Sequence, residues 1–148
     1  MLHDFTYYNP TKIHFGKEAM SKLPSELNNY GQNILLLYGK NSIKKIGIYD
    51  EVVKILKACG KAVVELAGIK PNPSYAQVLE GGRLVRENKI DLILAVGGGS
   101  VIDCAKAISV SAYAKGDAWQ RYWIDYEART NILVRLLQRP STNRAERG

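Results

Sequence analysis

Three consecutive glycines and a serine, Gly97-Gly98-Gly99-Ser100, are the residues whose type and spacing point most directly to chemistry. They separate an apolar run, Asp91–Val96, from an Ala-rich segment, Val101–Tyr113, which we predict as a strand and a helix. Glycines allow a tight turn and the close approach of a ligand, and the free N–H groups of a helix N-terminus favour an anion. The pattern predicts a diphosphate site at the carboxyl end of a central strand, where open α/β sheets bind ligands. A plain glycine turn is the alternative.

Asp103 lies in the first turns of the predicted helix and is a further candidate for the same site. Its carboxylate could accept hydrogen bonds from the N–H groups of the glycine loop, or it could reach a bound cofactor. An acidic side chain near a helix N-terminus also suits the helix dipole without any ligand. The three interpretations stay open at the level of sequence.

Short apolar strands alternate with amphipathic helices along most of the chain, and this order must position the glycine loop. Continuous apolar runs predict strands buried on both faces, and stripes at helical spacing predict the helices between them. The predicted strands are Asn33–Tyr38, Ala62–Ala67 and Asp91–Val96; the predicted helices are Asp50–Cys59, a helix that follows the N-cap Ser74 and ends near Asn88, and Val101–Tyr113. We therefore predict an α/β fold, a Rossmann-like parallel sheet flanked by helices with right-handed crossovers. The β-prone runs 4–8 and 12–16, with His14 in the second, predict a short N-terminal β segment.

The composition of the 148-residue chain excludes several classes of protein. With 46% apolar residues and ordinary Gly and Pro contents, the chain is not intrinsically disordered, and its length fits one domain. No run of about 18 residues lacks charges, so no membrane span is predicted, and the first nine residues do not resemble a secretory signal. Cys59 and Cys104 form no disulfide framework and are predicted to be small core residues, which favours a cytoplasmic location.

The net charge of +7 is unevenly distributed along the sequence. Residues 129–148 contain five arginines, no lysine and one acidic residue, whereas residues 1–128 contain 13 lysines and three arginines. We therefore predict a folded unit, 1–128, and a separate tail, 129–148, that arises from truncation, a frameshift or vector sequence. A divergent native tail with Ile132–Leu137 as a further strand is the alternative. Because more than half of the charge, +4, lies in the tail, no nucleic-acid partner is predicted.

Several motifs together resemble the iron-containing alcohol dehydrogenase family. The stretch 97–108, GGGSVIDCAKAI, is similar to its glycine-rich signature; Lys70-Pro71-Asn72-Pro73-Ser74 is similar to its second-strand loop, and Asn9-Pro10-Thr11 with His14-Phe15-Gly16-Lys17 to its opening. The resemblance runs from about residue 5 to residue 128 and is greatest to the NADPH-dependent butanol dehydrogenase branch. It implies that residues 1–128 are the dinucleotide-binding domain of a homodimeric enzyme. It also implies that Fe or Zn is bound only in the full-length enzyme, by one Asp and three His of a C-terminal helical domain.

The loop after the first predicted strand bears on the choice of cofactor. Gly39 stands where NAD-preferring relatives carry Asp, and Lys40, Asn41 and Ser42 offer donors for a 2′-phosphate. No acidic residue follows until Asp50, and an acid in this loop would hold a 2′-hydroxyl and repel a phosphate. The resemblance therefore implies NADP(H) rather than NAD, although a solvated basic loop with a helix cap explains the same residues.

Asn72 is the last candidate that the resemblance supplies for the cofactor site. It is expected near the nicotinamide-side ribose or the diphosphate. An Asx turn between Pro71 and Pro73 explains the same residue without a ligand.

No residue of this chain is predicted to be catalytic or to bind a metal. The two histidines, His3 and His14, are not in a paired metal-binding spacing, and no motif links either of them to a Ser and an Asp. The predicted function is that of the nucleotide-binding half of an oxidoreductase, inactive alone, which transfers a hydride between NADP(H) and an aldehyde or primary alcohol. A non-catalytic dinucleotide-binding module is the alternative.

Overall fold

The computed structural model describes residues 4, 6, 12–40, 42–71, 73–113 and 134–138. Within these residues, a 3-10 turn, Ala19–Lys22, precedes five helices and four strands. In chain order these are α1 (Leu23–Leu27), β1 (Asn33–Tyr38), α2 (Ser42–Lys45), α3 (Ile48–Ala58), β2 (Ala62–Leu66), α4 (Tyr75–Glu87), β3 (Leu92–Gly97), α5 (Gly99–Ser111) and β4 (Val134–Gln138).

The four described strands form one parallel sheet in the order β2-β1-β3-β4. Tyr38, the last residue of β1, is the register partner of Val96 in β3, so the carboxyl ends of the two central strands meet at one edge. The predicted α/β class, a Rossmann-like parallel sheet flanked by helices, is confirmed.

The two faces of the sheet are covered by different helices, because successive residues of a strand point to opposite sides. One cluster joins Leu35, Leu37, Ile93 and Ala95 to buried residues of α4 and α5. The other cluster joins Ile34, Leu36, Tyr38, Leu92, Leu94 and Val96 to buried residues of α1, α2 and α3. Burial on both faces explains why β1 and β3 are continuous apolar runs in the sequence.

Helices α4 and α5 approach each other closely at Gly81. A Cβ atom on Gly81 would overlap the end of the Ile108 side chain and lie 2.7 Å from its Cγ1. At the start of α4, Ser74 acts as the predicted N-cap, since its side chain accepts a 3.3 Å hydrogen bond from the N–H of Gln77. These contacts fix α4 against α5, the helix that begins at the glycine loop.

The predicted N-terminal β segment is wrong for residues 12–16, which form no strand; the other run, 4–8, lies mostly outside the described residues. An extended segment becomes a stable strand only when its backbone pairs with a neighbour. In this segment the side chains of Lys12 and His14 bind Oε1 of Glu26 at 2.9 and 3.1 Å. The two contacts fasten the segment to α1 rather than to the sheet.

Strand β4 lies in the segment 129–148, which the sequence analysis separated from the folded unit. Its backbone pairs in parallel with β3, from Ile93 opposite Val134 to Gly97 opposite Gln138. The alternative interpretation, with Ile132–Leu137 as a further strand, anticipated this element. The origin of the segment stays a prediction.

None of the described helices is long and apolar enough to cross a membrane. Cys59 and Cys104 are both free thiols. Cys104 is buried in the α4–α5 side of the core, and Cys59 packs against the opposite side.

Candidate dinucleotide-binding site

A cleft of about 330 Å³ opens at the carboxyl edge of the sheet, beside the ends of β1 and β3. One wall is the start of α5, from Gly98 to Val101, and the opposite side is formed by Lys40, Ile69 and Pro71. Lys40 follows β1, and Ile69 and Pro71 follow β2. The cleft is therefore located where parallel α/β sheets bind their ligands, outside the strand ends.

The loop between β3 and α5 is shorter than the predicted loop, Gly97–Ser100. Gly97 belongs to β3 and α5 begins at Gly99, so Gly98 alone connects strand and helix, as the N-cap of α5. The prediction of a four-residue loop is wrong because the strand ladder extends to Gly97, which pairs with Gln138. Gly97 has a φ of +154°, and a Cβ atom there would lie 2.9 Å from Cγ2 of Val101. Only glycine fits this turn without strain.

The start of α5 provides the features that an anionic group requires. No side chain caps the helix at Gly98, so the first N–H groups of a 13-residue helix face the cleft with the positive end of its dipole. A Cβ atom on Gly98 or Gly99 would meet nothing within 4 Å. The space above these two glycines admits a ligand to the backbone, which fits the diphosphate of a dinucleotide.

Two side chains fix the wall that follows β2. The hydroxyl of Ser100 donates a hydrogen bond to the carbonyl oxygen of Pro71 across the cleft. The amide of Gln77 donates from Nε2 to the carbonyl oxygen of Gly68 at 3.0 Å and accepts the N–H of Lys70 at 3.5 Å. The segment between β2 and α4 is therefore attached to both α4 and α5.

Gly39 directly follows β1 and precedes Lys40, which lines the cleft. Its carbonyl oxygen accepts the N–H of Gly68 at 2.9 Å, which continues the pairing of β1 and β2 beyond the strands. A Cβ atom on Gly39 would lie 3.5 Å from the carbonyl oxygen of Ile69 and 3.8 Å from Cγ2 of Val101. These are ordinary contacts, so the backbone tolerates a side chain at this position.

The remaining predicted site residues have different outcomes. Lys40 lines the cleft and is exposed, and Ser42 is the first residue of α2. Asn41 and Asn72 lie outside the described residues. Asp103 is exposed on the second turn of α5 and accepts no hydrogen bond from the described glycine segment. The interpretation of Asp103 as a holder of the loop has no contact to support it.

A polar aromatic cluster at the end of β1 was not predicted from the sequence. Glu65 of β2 accepts hydrogen bonds from the hydroxyls of Tyr49, at 2.5 Å, and Tyr38, at 3.4 Å. The hydrogen bond to Glu65 is the main cause that raises the pKa of Tyr49 to about 12. The amine of Lys44 lies 4.8 Å from the centre of the Tyr49 ring and 5.5 Å from that of Tyr38. The four residues are separated in sequence, so no local motif marks them.

No group of three or more His, Cys, Asp or Glu side chains among the described residues is placed to hold a metal ion. The described part of the chain therefore does not fit the metal that the family resemblance implies. We assign no chemical step to a metal here.

The comparisons with known proteins agree with this geometry. The iron-containing alcohol dehydrogenase family matches residues 10–142, a range that extends past the predicted boundary at residue 128. The chain is 54% identical over 118 residues to "Probable NADH-dependent butanol dehydrogenase 2" of Bacillus subtilis, which covers 80% of this chain and 30% of that protein. It is 41% identical over 111 residues to the NADPH-dependent aldehyde reductase YqhD of Escherichia coli, which covers 75% of this chain and 28% of that protein.

The comparison with solved structures supports the same fold. The crystal structure of NADH-dependent butanol dehydrogenase A from Thermotoga maritima superposes with a TM-score of 0.83 at 39% identity. The match covers 90% of this chain and 34% of that one. The chain thus spans about a third of the length of the proteins that it resembles.

Proposed function

The chain belongs to the iron-containing alcohol dehydrogenase family, and we propose that it is the part of such an enzyme that binds the nicotinamide dinucleotide. The observation that carries the proposal is the uncapped start of α5, with Gly98 and Gly99 open to a cleft at the carboxyl edge of the sheet. A dinucleotide diphosphate suits this place because it accepts hydrogen bonds from backbone N–H groups and interacts favourably with the helix dipole.

In the proposed orientation the two halves of the dinucleotide extend to opposite sides of Gly98. The adenosine ribose lies toward Gly39 and Lys40, at the end of β1, and the diphosphate lies over Gly98, Gly99 and Ser100. Asn72, Asn41, Ser42 and Asp103 are proposed as additional contacts. The hydrogen bond from Ser100 to Pro71 supports this arrangement, since it holds the opposite wall at a fixed distance from α5.

We propose NADP(H) as the preferred cofactor. Gly39 carries no carboxylate that would repel a 2′-phosphate, and the exposed amine of Lys40 lines the same end of the cleft. The relatives include both kinds of enzyme, and the NADH-dependent Bacillus protein is more similar in sequence than the NADPH-dependent reductase. The proposal therefore depends on the lack of a carboxylate at Gly39 and on the positive charge of Lys40, and not on the names of relatives.

The reaction proposed for the whole enzyme is the reversible reduction of an aldehyde to a primary alcohol. A hydride passes from the reduced nicotinamide to the carbonyl carbon, a proton is added to the oxygen, and the oxidised cofactor remains. A metal ion bound by the separate C-terminal domain that the resemblance implies would polarise the reacting oxygen. We propose that this chain alone binds the cofactor but does not turn over substrate, since no three His, Cys, Asp or Glu side chains of its described residues are grouped to hold a metal ion.

Titration of the 148-residue chain with NADPH and with NADH, followed by nicotinamide fluorescence, tests the proposal. We expect saturable binding of both cofactors with a lower Kd for NADPH. An assay with butanal and added Fe²⁺ or Zn²⁺ is the second arm, in which we expect no oxidation of NADPH. Failure of a folded sample to bind either cofactor would contradict the proposed function. Tighter binding of NADH than of NADPH would contradict the proposed cofactor preference.

The second candidate function, a non-catalytic dinucleotide-binding module, predicts the same binding. It is favoured by the same lack of a metal-ligand group in the described residues. The two candidates differ when the chain is joined to the remaining two thirds of a relative such as the Bacillus protein. An enzyme half is expected to support turnover in the chimera, whereas a module that has lost catalytic geometry is not.

A further inference from the structure

The loop between β1 and α3 contains the short helix α2, and a pair of aromatic rings brings the two ends of this loop together. Tyr38 immediately precedes Gly39 and Lys40, and Tyr49 lies in the first turn of α3. The centres of the two rings are 5.4 Å apart with an interplanar angle of 60°, an edge-to-face contact. The two ends of this segment therefore lie next to each other, and Lys40 is close to its first end.

Glu65 links both ends of this loop to the neighbouring strand. One carboxylate oxygen accepts the hydroxyl of Tyr49 and the other accepts the hydroxyl of Tyr38. Because β2 and β1 pair in register, with Glu65 opposite Leu36, the carboxylate has a fixed position beside the base of the loop. A charged acceptor makes each hydrogen bond stronger than a neutral one would be.

The middle of the loop is attached to the same point. Lys44 of α2 extends its amine over the rings of Tyr49 and Tyr38, at distances that are typical of cation–π contacts. The preceding residue, Ile43, is 2% exposed and packs in the cluster on that face of the sheet. The loop is thus held at its start, its middle and its end.

We propose that Tyr38, Lys44, Tyr49 and Glu65 form a clamp that positions Lys40 and thereby sets the preference for a 2′-phosphorylated dinucleotide. The inference rests on the proposed function. NADPH and NADH share the diphosphate contacts at α5, and only the 2′-phosphate requires the donors of the clamped loop. Release of the clamp therefore weakens NADPH binding more than NADH binding. None of the four is a catalytic residue; Tyr49, Glu65 and Lys44 are positioning residues.

The experiment measures Kd for NADPH and for NADH with the wild-type chain and three variants, Tyr49→Phe, Glu65→Gln and Lys44→Met. For each variant we expect the ratio of Kd(NADPH) to Kd(NADH) to rise about threefold to tenfold, the range that corresponds to one lost hydrogen bond or ring contact. Tyr113→Phe and Lys57→Met are matched controls, since they make the same chemical changes at exposed positions, in the turn after α5 and on α3. In the controls the ratio is expected to stay at the wild-type value.

Hydrogen exchange of the backbone amides gives an independent readout. In Tyr49→Phe and Glu65→Gln, exchange is expected to accelerate in residues 40–47 while the amides of β1 and β3 keep their wild-type protection. A wild-type chain that binds a cofactor, together with variants whose Kd ratio is unchanged, overturns the clamp and leaves the proposed function intact. A folded wild-type chain that binds neither cofactor overturns both. Equal weakening of NADPH and NADH binding, with faster exchange throughout the sheet, shows a purely structural role and also overturns the clamp.

Discussion

The hydroxyl of Ser100 donates a hydrogen bond to the carbonyl oxygen of Pro71, and this contact joins the two walls of the cleft. Ser100 lies in the first turn of α5 and Pro71 follows β2, so the bond connects elements from opposite sides of β1 in the sheet. The glycine segment and the segment between β2 and α4 therefore form one binding surface.

Removal of this hydroxyl is expected to affect binding more than stability. In Ser100→Ala the free energy of unfolding should fall by no more than about 1 kcal/mol, because the Pro71 carbonyl is exposed and can be hydrated. The Kd for NADPH should rise severalfold, as measured by fluorescence titration. Ser111→Ala is the matched control, since it loses the 2.7 Å bond from its hydroxyl to the Ala107 carbonyl at the other end of α5. Equal Kd values for Ser100→Ala and the wild type would contradict the role of this bond.

A carboxylate at position 39 is expected to change the cofactor preference. The space around Gly39 accepts a side chain, with its nearest neighbours at 3.5 and 3.8 Å, so Gly39→Asp should fold. Repulsion of the 2′-phosphate should raise the Kd for NADPH about tenfold, or about 1.4 kcal/mol, while the Kd for NADH stays constant or falls. Gly39→Asn, equal in size and uncharged, should have a much smaller effect. If Asp and Asn change the two Kd values alike, the ribose does not lie at Gly39.

Two glycines of the same segment are expected to respond differently to alanine. Gly97→Ala places a Cβ atom 2.9 Å from Val101 at a φ of +154°, so it should lower the stability by about 1–3 kcal/mol. Gly99→Ala meets no neighbour within 4 Å and should leave the Tm unchanged or slightly higher. The added methyl group of Gly99→Ala nevertheless occupies the cleft, so NADPH binding should weaken. Unimpaired binding by a stable Gly99→Ala protein would exclude a diphosphate at α5.

The close approach of α4 and α5 predicts that substitutions at Gly81 and Ile108 have strongly coupled effects on stability. Gly81→Ala should destabilise the chain by about 1–3 kcal/mol in urea unfolding, because its methyl group overlaps Ile108 in a packed core. Ile108→Val removes Cδ1, the atom that overlaps most, so the double variant should be more stable than the sum of the two single effects predicts. Gly82→Ala is a milder control, since its Cβ atom would lie 3.3 Å from Nη1 of Arg86 and 3.5 Å from Cα of Ala112. Strictly additive effects of Gly81→Ala and Ile108→Val would refute the contact.

The contact between Tyr49 and Glu65 predicts a dependence of stability on pH. The pKa of Tyr49 rises from 10.0 to about 12 in the folded chain, so folding favours the protonated phenol. The contribution of this phenol is present below pH 10 and is lost as the pH rises from 10 toward 12. The difference in unfolding free energy between the wild type and Tyr49→Phe should therefore be constant near neutral pH and shrink above pH 10. A difference that grows with pH would reverse the sign of the proposed linkage.

The regular part of the fold was predictable because each element has a local signal. The apolar run Asn33–Tyr38 is a strand with the predicted bounds, and Ser74 caps its helix as expected. The glycine segment that forms one wall of the cleft was predictable for the same reason, since a run of glycines between a strand and a helix indicates a tight turn. The carboxyl end of β3 was not predictable, because Gly97 is paired by a strand that lies more than 35 residues away in the sequence.

Long-range contacts account for what the sequence did not predict. Glu65 meets Tyr38 and Tyr49 only because β1 and β2 are neighbours in the sheet, and no spacing in the sequence records this. His14 was predicted to lie in a strand, but its ring binds Glu26 of α1, and that partner is set by tertiary packing. Local propensity fixes neither contact, since tertiary partners override it.

Backbone NMR of the folded chain during titration with NADPH tests most directly the claim that the cleft at the carboxyl edge of the sheet binds the dinucleotide. The account predicts saturable shifts that are largest for the amides of Gly98, Gly99, Ser100 and Val101, with further shifts at Lys40 and Ile69. The amides at the opposite edge of the sheet, Asn33 and Leu92, should stay at their positions in the free protein. Saturable shifts that are largest at Asn33 and Leu92, or none at any concentration of NADPH or NADH, would contradict it.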